Sequence, residues 1–370
     1  MNLKLKNTPE QVELVKAMGS KNRATAREAQ EAFAAFLGPV VRQVLNQAGT
    51  AGAVYSDVPF DEDDSPSYPL DLYYNEGDNY VQTWSQSVAG GLPSSAVEGM
   101  SELKISTYRL DSAVSFLSKY ARRARLDVIS KGIERMAQEV LVKQERNAWA
   151  VILKALAEAS TNSLTHVVKG TLANEFQLHD LNALMTRSRR INESFANGTP
   201  DPAYSQGVTD LYVSPEIMQS IRAFAYQPLN TRGAGQATPR SDVALPDNVR
   251  SDIYNAAGTQ EIYGVNIVEM NEFGVSKKYN TLFDTFAVSA DIDGPGGGDF
   301  ATGTDEILVG IDNSKGAFVR PIATNADSGS TFNASPDDQF HARAEKLGFY
   351  GALEEGRVCV DARAVVGITI

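Results

Sequence analysis

The stretch from Asp127 to Ala159, DVISKGIERMAQEVLVKQERNAWAVILKALAEA, decides how the rest of the sequence is interpreted. It has no proline and one glycine, Gly132, and its apolar residues recur at helical spacing with Gln144 as the polar exception. At about 1.5 Å per residue, a helix over this stretch would span roughly 50 Å and would need a sheet or other helices to pack on along its length. Its apolar stripe consists of Ile129, Ile133, Met136, Val140, Ala148, Val151 and Ala155.

Two further helices are predicted over residues 9–48. In the second, Ala24 to Gln47, the pair Gly38-Pro39 should kink or break the helix, because proline lacks a backbone donor and crowds the preceding turn. This segment has one apolar stripe and cannot form a core alone, so it needs a partner surface in this chain or in another. The stripe consists of Phe33, Phe36, Leu37, Val40, Val41 and Val44.

Residues 43–103, named here the acidic excursion, contain no lysine or arginine. Within them, Tyr80 to Gln86 alternates at period two and predicts a strand, turn formers follow, and a second extended run returns over Glu102 to Phe116. Isolated hairpins are marginally stable in water, so we expect this one to rest on another surface. The ten acids of the segment are Asp57, Asp61, Glu62, Asp63, Asp64, Asp71, Glu76, Asp78, Glu98 and Glu102.

The chain after Ser160 predicts mixed helix and strand, which makes the fold class α+β. Leu178 to Ser194 has a helical pattern, and Leu211 to Val213 predicts a buried strand. Ser214-Pro215-Glu216 then opens a helix through Phe224 with a cap, a proline and an acid in the first turn. Further strands are predicted at Ile262 to Met270, Thr281 to Ala290, Ile307 to Ile311, Ala317 to Ile322, Arg357 to Val360 and Ala364 to Ile370.

Charge and composition disfavour several classes of function. The chain carries 34 Lys and Arg against 46 Asp and Glu, a net charge of −12, which argues against a basic surface for non-specific phosphate binding. One cysteine and three histidines argue against a disulfide framework, a Cys-based zinc site and a His-rich metal centre. No stretch predicts a membrane span or a signal peptide, so we expect a protein that is neither secreted nor membrane-bound.

Four stretches suggest chemistry but have simpler interpretations. Asp61 to Asp64 lacks the spacing of a calcium loop, and Gly294 to Gly298 lacks the Lys-Ser/Thr of a phosphate loop. His179-Asp180 has no accompanying nucleophile motif and is better explained as a helix-cap pair. Cys359 lies between two valines, so we expect a buried structural thiol. The sequence therefore predicts no enzyme, no cofactor and no metal site.

The order of the elements resembles the major capsid proteins of tailed bacteriophages, the Hong Kong 97 fold family, over nearly the whole chain. In the stretch Ile262 to Val268, which is similar to a strand-Gly-strand stretch of the family, Asn266 stands at a position where the family commonly has proline. The phrases that carry the resemblance are Tyr120 to Ile129, Gln138 to Trp149, Asp210 to Pro215, Ile262 to Val268, and Glu306 to Ile311 followed by Gly316 to Ile322.

The resemblance implies an N-terminal arm, an extended β-hairpin loop, a peripheral domain with a long spine helix, and an α/β axial domain. In this numbering the arm is 1–56 and the loop is 74–105. The axial domain is 164–312, with C-terminal strands at 357–370. The peripheral domain combines 57–73 and 106–163, with the spine helix at 127–159 and a β-rich return at 313–356.

The resemblance also implies that the function is assembly. Many copies would form hexamers and pentamers of an icosahedral shell that encloses double-stranded DNA without sequence-specific binding. The expected location is the virion, with assembly in the host cytoplasm. The expected partners are other copies, a portal protein and optional scaffold or decoration proteins, with no membrane involved.

In this family the extended loop lies over an adjacent subunit near its spine helix. The resemblance therefore implies intersubunit contacts between loop residues and a basic stretch, and it gives Gly132 two interpretations: a close-packing site, or a bend that lets the spine helix straighten as the shell expands. Some members also join subunits by an isopeptide bond from a loop lysine. The first lysine after residue 43 is Lys104, at the base of the returning strand, so we expect a non-covalent shell. The expected contact residues are Asp71, Glu76, Asp78, Gly90, Gly91 and Pro93 in the loop, and Lys119, Arg122, Arg123 and Arg125 in the basic stretch.

Three alternatives stay open. An encapsulin-like nanocompartment shell would package a protein cargo instead of a genome. A carboxylate-dependent hydrolase would use acids within residues 57–78. A minor virion or adhesive protein would occur in a few copies per particle.

Overall fold

The helices and strands come from a computed structural model that describes residues 8–47, 49–61, 66–69, 102–161, 164–173, 175–193, 207–223, 229–230, 242–243, 260–287, 292–295, 297–324, 331–337 and 346–370. The helices are α1 (Pro9–Met18), α2 (Arg23–Gln47), α3 (Ser118–Arg122), α4 (Leu126–Glu158), α5 (Leu178–Glu193), α6 (Pro215–Ala223) and α7 (Lys278–Ala287). The strands are β1 (Ser56–Asp61), β2 (Ser67–Pro69), β3 (Glu102–Lys104), β4 (Tyr108–Leu117), β5 (Ser160–Thr161), β6 (Leu164–Thr165), β7 (Val167–Lys169), β8 (Asp210–Val213), β9 (Leu229–Asn230), β10 (Asp242–Val243), β11 (Gln260–Ile262), β12 (Val265–Glu269), β13 (Ile307–Ile311), β14 (Phe318–Thr324), β15 (Asn333–Asp337), β16 (Lys346–Glu355), β17 (Val358–Cys359) and β18 (Val365–Thr369).

The chain divides into two compact units. The first unit comprises Met1–Tyr68, Lys104–Ala148 and Val319–Val358. The centre of its sheet is β16, which pairs antiparallel with all of β4 on one side and with β15 on the other. Strand β14 extends this sheet and pairs parallel with β1. The second unit comprises Pro69–Leu103, Trp149–Phe318 and Cys359–Ile370.

The predicted long helix is confirmed as α4. Its first half presents the expected apolar stripe, from Ile129 to Val140, to the core of the first unit, where Phe116 and Phe349 of the sheet are also buried. In its second half the fully buried side chains are those of the predicted Ala148 and of Trp149, Ile152, Leu153 and Leu156. The predicted Val151 and Ala155 are only half-buried.

The N-terminal helices find their partner surface within the first unit. Phe33 of α2 is buried, and its ring centroid lies 5.3 Å from that of Phe349 on β16. Gly38-Pro39 was expected to kink or break this helix; a break is wrong, since α2 continues to Gln47, and a kink stays a prediction. A proline removes one helical hydrogen bond, and the bonds on either side of it can maintain the helix.

The second unit contains a mixed sheet in the order β11-β12-β8-β13-β18-β7. Successive residues of a strand point to opposite faces, and β8 shows this directly. Leu211 and Val213 belong to an apolar core with α5 and α6. Tyr212 points the other way, where its ring centroid lies 5.0 Å from that of Trp149 in the second half of α4.

The strand predicted at Thr281 to Ala290 is wrong, because the chain forms helix α7 over Lys278–Ala287. Its aromatic and β-branched content favoured a strand, but Tyr279, Phe283 and Ala287 are buried at helical spacing. The hydroxyl groups of its threonines donate to helix carbonyls, Thr281 to Lys277 and Thr285 to Thr281, so their polar atoms are satisfied inside the helix.

The returning arm of the acidic excursion is described only at its base, where β3 pairs with β2. The predicted run over Glu102 to Phe116 is two strands, β3 and β4, with residues 105–107 between them. The predicted strand over Tyr80 to Gln86 and the loop tip lie outside the described residues. The predicted division into arm, loop, peripheral and axial domains stays a prediction.

Candidate assembly site

The basic stretch forms a corner between α3 and α4. Helix α3 ends in a Schellman turn, in which the Arg125 N–H donates to the Tyr120 carbonyl at 2.9 Å and the Ala124 N–H donates to the Ala121 carbonyl at 2.9 Å. Ala124 has a φ of 48°, the left-handed conformation that this turn requires. We name this segment, residues 118–126, the α3 corner.

All four predicted cations of the α3 corner are exposed. Within the described part of the chain, none of them pairs with a carboxylate. Arg122 differs from the rest, because its Nε donates to the Gly19 carbonyl at the end of α1 at 2.9 Å. Lys119 Nζ lies 5.3 Å from the centroid of the neighbouring Tyr120 ring. Arg123 and Arg125, which make neither kind of side-chain contact among the described residues, are thus available to another molecule.

The predicted contact residues on the other side of this interface cannot be placed against the corner. They are all outside the described residues, so their pairing with the corner cations stays a prediction; they are Asp71, Glu76, Asp78, Gly90, Gly91 and Pro93.

Gly132 lies on α4 where the helix packs against β4. A Cβ atom at this position would lie 3.3 Å from Val114 Cγ2, which is tighter than an ordinary contact. This distance supports the close-packing interpretation of the glycine. The bend interpretation is not tested by a single conformation and stays a prediction.

Sequence reasoning missed a buried charge network in the first unit, centred on Glu355 at the end of β16. The carboxylate is fully buried. Its Oε2 accepts from Arg320 Nε at 2.7 Å and from Gln144 Nε2 at 3.0 Å, and its Oε1 accepts from the Tyr108 hydroxyl at 2.7 Å. Arg357 Nη2 lies 3.5 Å from the same carboxylate. One acid therefore joins α4, β4, β14 and β16.

The network is balanced in charge because Arg320 also contacts Asp57 on β1, with Nη1 3.4 Å from Oδ1. Arg357 stacks over Tyr55, with its Cζ 4.6 Å from the ring centroid. Burial, followed by the Glu355 charge, raises the pKa of Tyr108 well above its usual range, so this phenol remains a hydrogen-bond donor. The sequence signal that could have revealed the network is Gln144, the one polar residue on the apolar stripe of α4.

A second buried acid lies in the second unit, at the start of β13. Glu306 is 1% exposed, and its Oε1 has no hydrogen-bond partner among the residues that the structure describes. Burial, with the nearby Glu216 carboxylate, raises its pKa to about 7, although hydrogen bonds from Ser214 oppose this shift. Ser214 also caps α6, since its Oγ accepts from the Ile217 N–H at 3.1 Å.

The stretches that suggested chemistry have structural roles where they are described. Asp180 accepts from the Gln177 N–H at 2.9 Å, which confirms its part in a helix cap. Gly294 and Gly298 close a turn through a backbone hydrogen bond of 2.6 Å. Cys359 is half-buried rather than buried, and burial raises the pKa of its thiol to about 12, so the thiol stays protonated at neutral pH.

Within the ranges that the structure describes, no group of three or more His, Cys, Asp or Glu side chains could hold a metal ion. No helix in those ranges combines the length and the apolarity that crossing a bilayer requires.

No protein-family model matches the sequence, and no curated protein matches it. Among solved structures, the chain is similar to the capsid of the cyanophage P-SCSP1u, with 15% identity, a TM-score of 0.51, and coverage of 87% of this chain and 88% of that chain. It is also similar to the capsid of a native GTA particle, with 12% identity, a TM-score of 0.49, and coverage of 87% and 91%. The SrpI encapsulin from Synechococcus elongatus matches with 8% identity, a TM-score of 0.39, and coverage of 73% and 75%. At these identities the cyanophage match shows the fold alone: the chain has the fold of a phage capsid protein, as the sequence predicted.

Proposed function

We propose that this chain, with its phage capsid fold, is the major shell-forming subunit of a tailed phage. Its copies would form hexamers and pentamers of an icosahedral shell around double-stranded DNA in the virion. The observation that carries the proposal is the match to a cyanophage capsid over 87% of this chain and 88% of the other. The net charge of −12 supports it, because an acidic inner wall would not hold DNA during packaging.

Expression of the chain alone, followed by electron microscopy of the purified protein, tests this function. We expect closed shells, tubes or separate capsomers. A chain that stays monomeric at high concentration would contradict the proposal. Particles filled with a host protein cargo would favour the nanocompartment alternative, and a few copies per phage particle would favour a minor virion protein.

We also propose that the α3 corner holds neighbouring subunits together through charge. Arg123 and Arg125 are exposed and lack a carboxylate within the described residues. The acidic excursion has ten acids and no base of its own. A single exposed ion pair contributes only about 0–1 kcal/mol, but the same contact recurs at every subunit of a shell and is strengthened by partial burial.

Arg123→Glu combined with Arg125→Glu should block assembly while the subunit stays folded. Arg122 is left unchanged because its hydrogen bond to Gly19 supports the first unit itself. We expect light scattering to show at least a roughly tenfold higher protein concentration for assembly, with unchanged circular dichroism. Changing Asp71, Glu76 and Asp78 to lysine in the same chain should partly restore assembly.

The matched control is Lys277→Glu with Lys278→Glu, which changes the net charge equally at two exposed positions of the second unit. Assembly of this control should remain near that of the wild type. Normal assembly of the Arg123/Arg125 variant at low salt would contradict the role of the α3 corner, because salt screens charge–charge interactions least under that condition.

A further inference from the structure

The hairpin between β11 and β12 has an unusual residue at its tip. Ile262 pairs with Val265, which leaves Tyr263 and Gly264 as a two-residue turn. Both have positive φ, 55° and 80°, as in a type I′ turn. Asn-Gly is the favoured pair in such turns, and a bulky aromatic residue in the left-handed region is strained.

No contact among the described residues accounts for this tyrosine. Tyr263 is 56% exposed, more than any other large apolar side chain that the structure describes as exposed. Within the described residues it makes no hydrogen bond and no ring contact. Ser276, which also has a positive φ of 59°, differs because its N–H donates to the Thr302 carbonyl at 2.8 Å. A strained residue whose side chain has no partner among the described residues suggests that the side chain contacts another molecule.

A fixed polar patch lies at the same end of the sheet as the tip. Asn266 follows Val265 on β12 and pairs with Asp210 on β8. The Asp210 carboxylate accepts from Asn266 Nδ2 at 2.9 Å, from Asn313 Nδ2 at 2.6 Å and from the Thr209 hydroxyl at 2.9 Å. These side chains are therefore held in place before any partner arrives, which lowers the entropic cost of binding.

We propose that Tyr263 and the patch of Asp210, Asn266 and Asn313 form a contact surface for a second copy of this chain. The arrangement is that of a protein interface, in which an exposed aromatic anchor lies beside polar groups. A Cβ on Gly264 would meet nothing within 4 Å, so the tip projects as a convex feature and does not enclose a small molecule. Among the described strands, β11 is also the outermost of its sheet, which leaves the hairpin accessible. A second copy is the partner because this inference rests on the proposed shell function.

Tyr263→Asn separates the two roles of this residue. Asparagine tolerates the left-handed conformation, so the unassembled subunit should melt at a higher temperature than the wild type. The same variant should need a roughly tenfold higher protein concentration to assemble, because the aromatic anchor is lost. Ser276→Asn is the matched control: it places the same residue at a second exposed left-handed position and should assemble like the wild type.

Replacing Tyr263 with p-benzoyl-L-phenylalanine tests the contact directly. Illumination of the assembled protein should give a band at twice the subunit mass, and the same probe at position 276 should not. If the wild type assembles, and Tyr263→Asn assembles equally well without a cross-link at 263, this inference is overturned and the shell function stands. If the wild type itself stays monomeric, both are overturned.

Discussion

In each unit, a single buried glutamate has a large effect on the free energy of folding. Glu355 is fully buried and holds Arg320 and Arg357, whose side chains are also mostly removed from water. Removing one member of such a group is costly, because the others keep the desolvation penalty without the attraction that offset it.

Glu355→Gln is nearly isosteric and removes only the charge at this network. We expect the free energy of unfolding of the first unit to fall by about 3–5 kcal/mol, measured by urea denaturation. Glu354→Gln is the control, since this half-buried neighbour bonds only the Thr107 hydroxyl among the described contacts. Glu354→Gln should lower the free energy of unfolding by about 1 kcal/mol. Equal losses of unfolding free energy in the two variants would contradict the special role of Glu355.

Glu306 makes the second unit sensitive to pH. Its folded-state pKa of about 7 lies above the ordinary value of 4.5, so the folded state binds the proton more tightly than the unfolded state. The stability from this group is complete below about pH 4.5 and is lost as pH rises through 7, a total of about 3 kcal/mol. Glu306→Gln should therefore be stabilising relative to the wild type at pH 8 and much less so at pH 5 in urea unfolding. A constant difference between the two proteins at both pH values would contradict this assignment.

At the level of elements, α4 is packed tightly against β4 at Gly132. Alanine at position 132 would stabilise the helix by about 1 kcal/mol relative to glycine. Its Cβ would crowd Val114 Cγ2, so the net change in subunit stability should be small. If the glycine is also a bend point, Gly132→Ala should assemble normally and then slow or block shell expansion, followed as particle diameter by light scattering.

The double variant Gly132→Ala with Val114→Ala distinguishes the two interpretations. Removing the Val114 methyl groups makes room for the new Cβ, so a defect caused by crowding should disappear. A defect caused by the loss of a bend should persist. Loss of soluble protein in the single variant alone would establish the packing role.

At the level of the whole molecule, the distribution of lysines bears on how subunits are joined. Residues 43–103 contain no lysine, and Lys104 lies at the end of β3, at the base of the excursion. We expect mature particles that are boiled in denaturant to run as a single band at 40.0 kDa. A ladder of multimers would show that copies are covalently joined.

The local pattern of the sequence determined the elements whose signals lie within a few residues. The 3.6-residue periodicity of α4 and the Ser214-Pro215 start of α6 needed no distant partner, because helix hydrogen bonds and caps form between near neighbours. The basic stretch around Arg123 was likewise evident from composition.

Only the tertiary structure decided the features whose partners are far apart along the chain. Thr281 to Ala287 form a helix because burial of Tyr279, Phe283 and Ala287 outweighed the strand preference of these residues. Glu355 meets Tyr108 across 247 positions, and Arg122 meets Gly19 across 103. Such contacts depend on how sheets and helices pack, since burial and charge pairing act through space and leave no local period in the sequence.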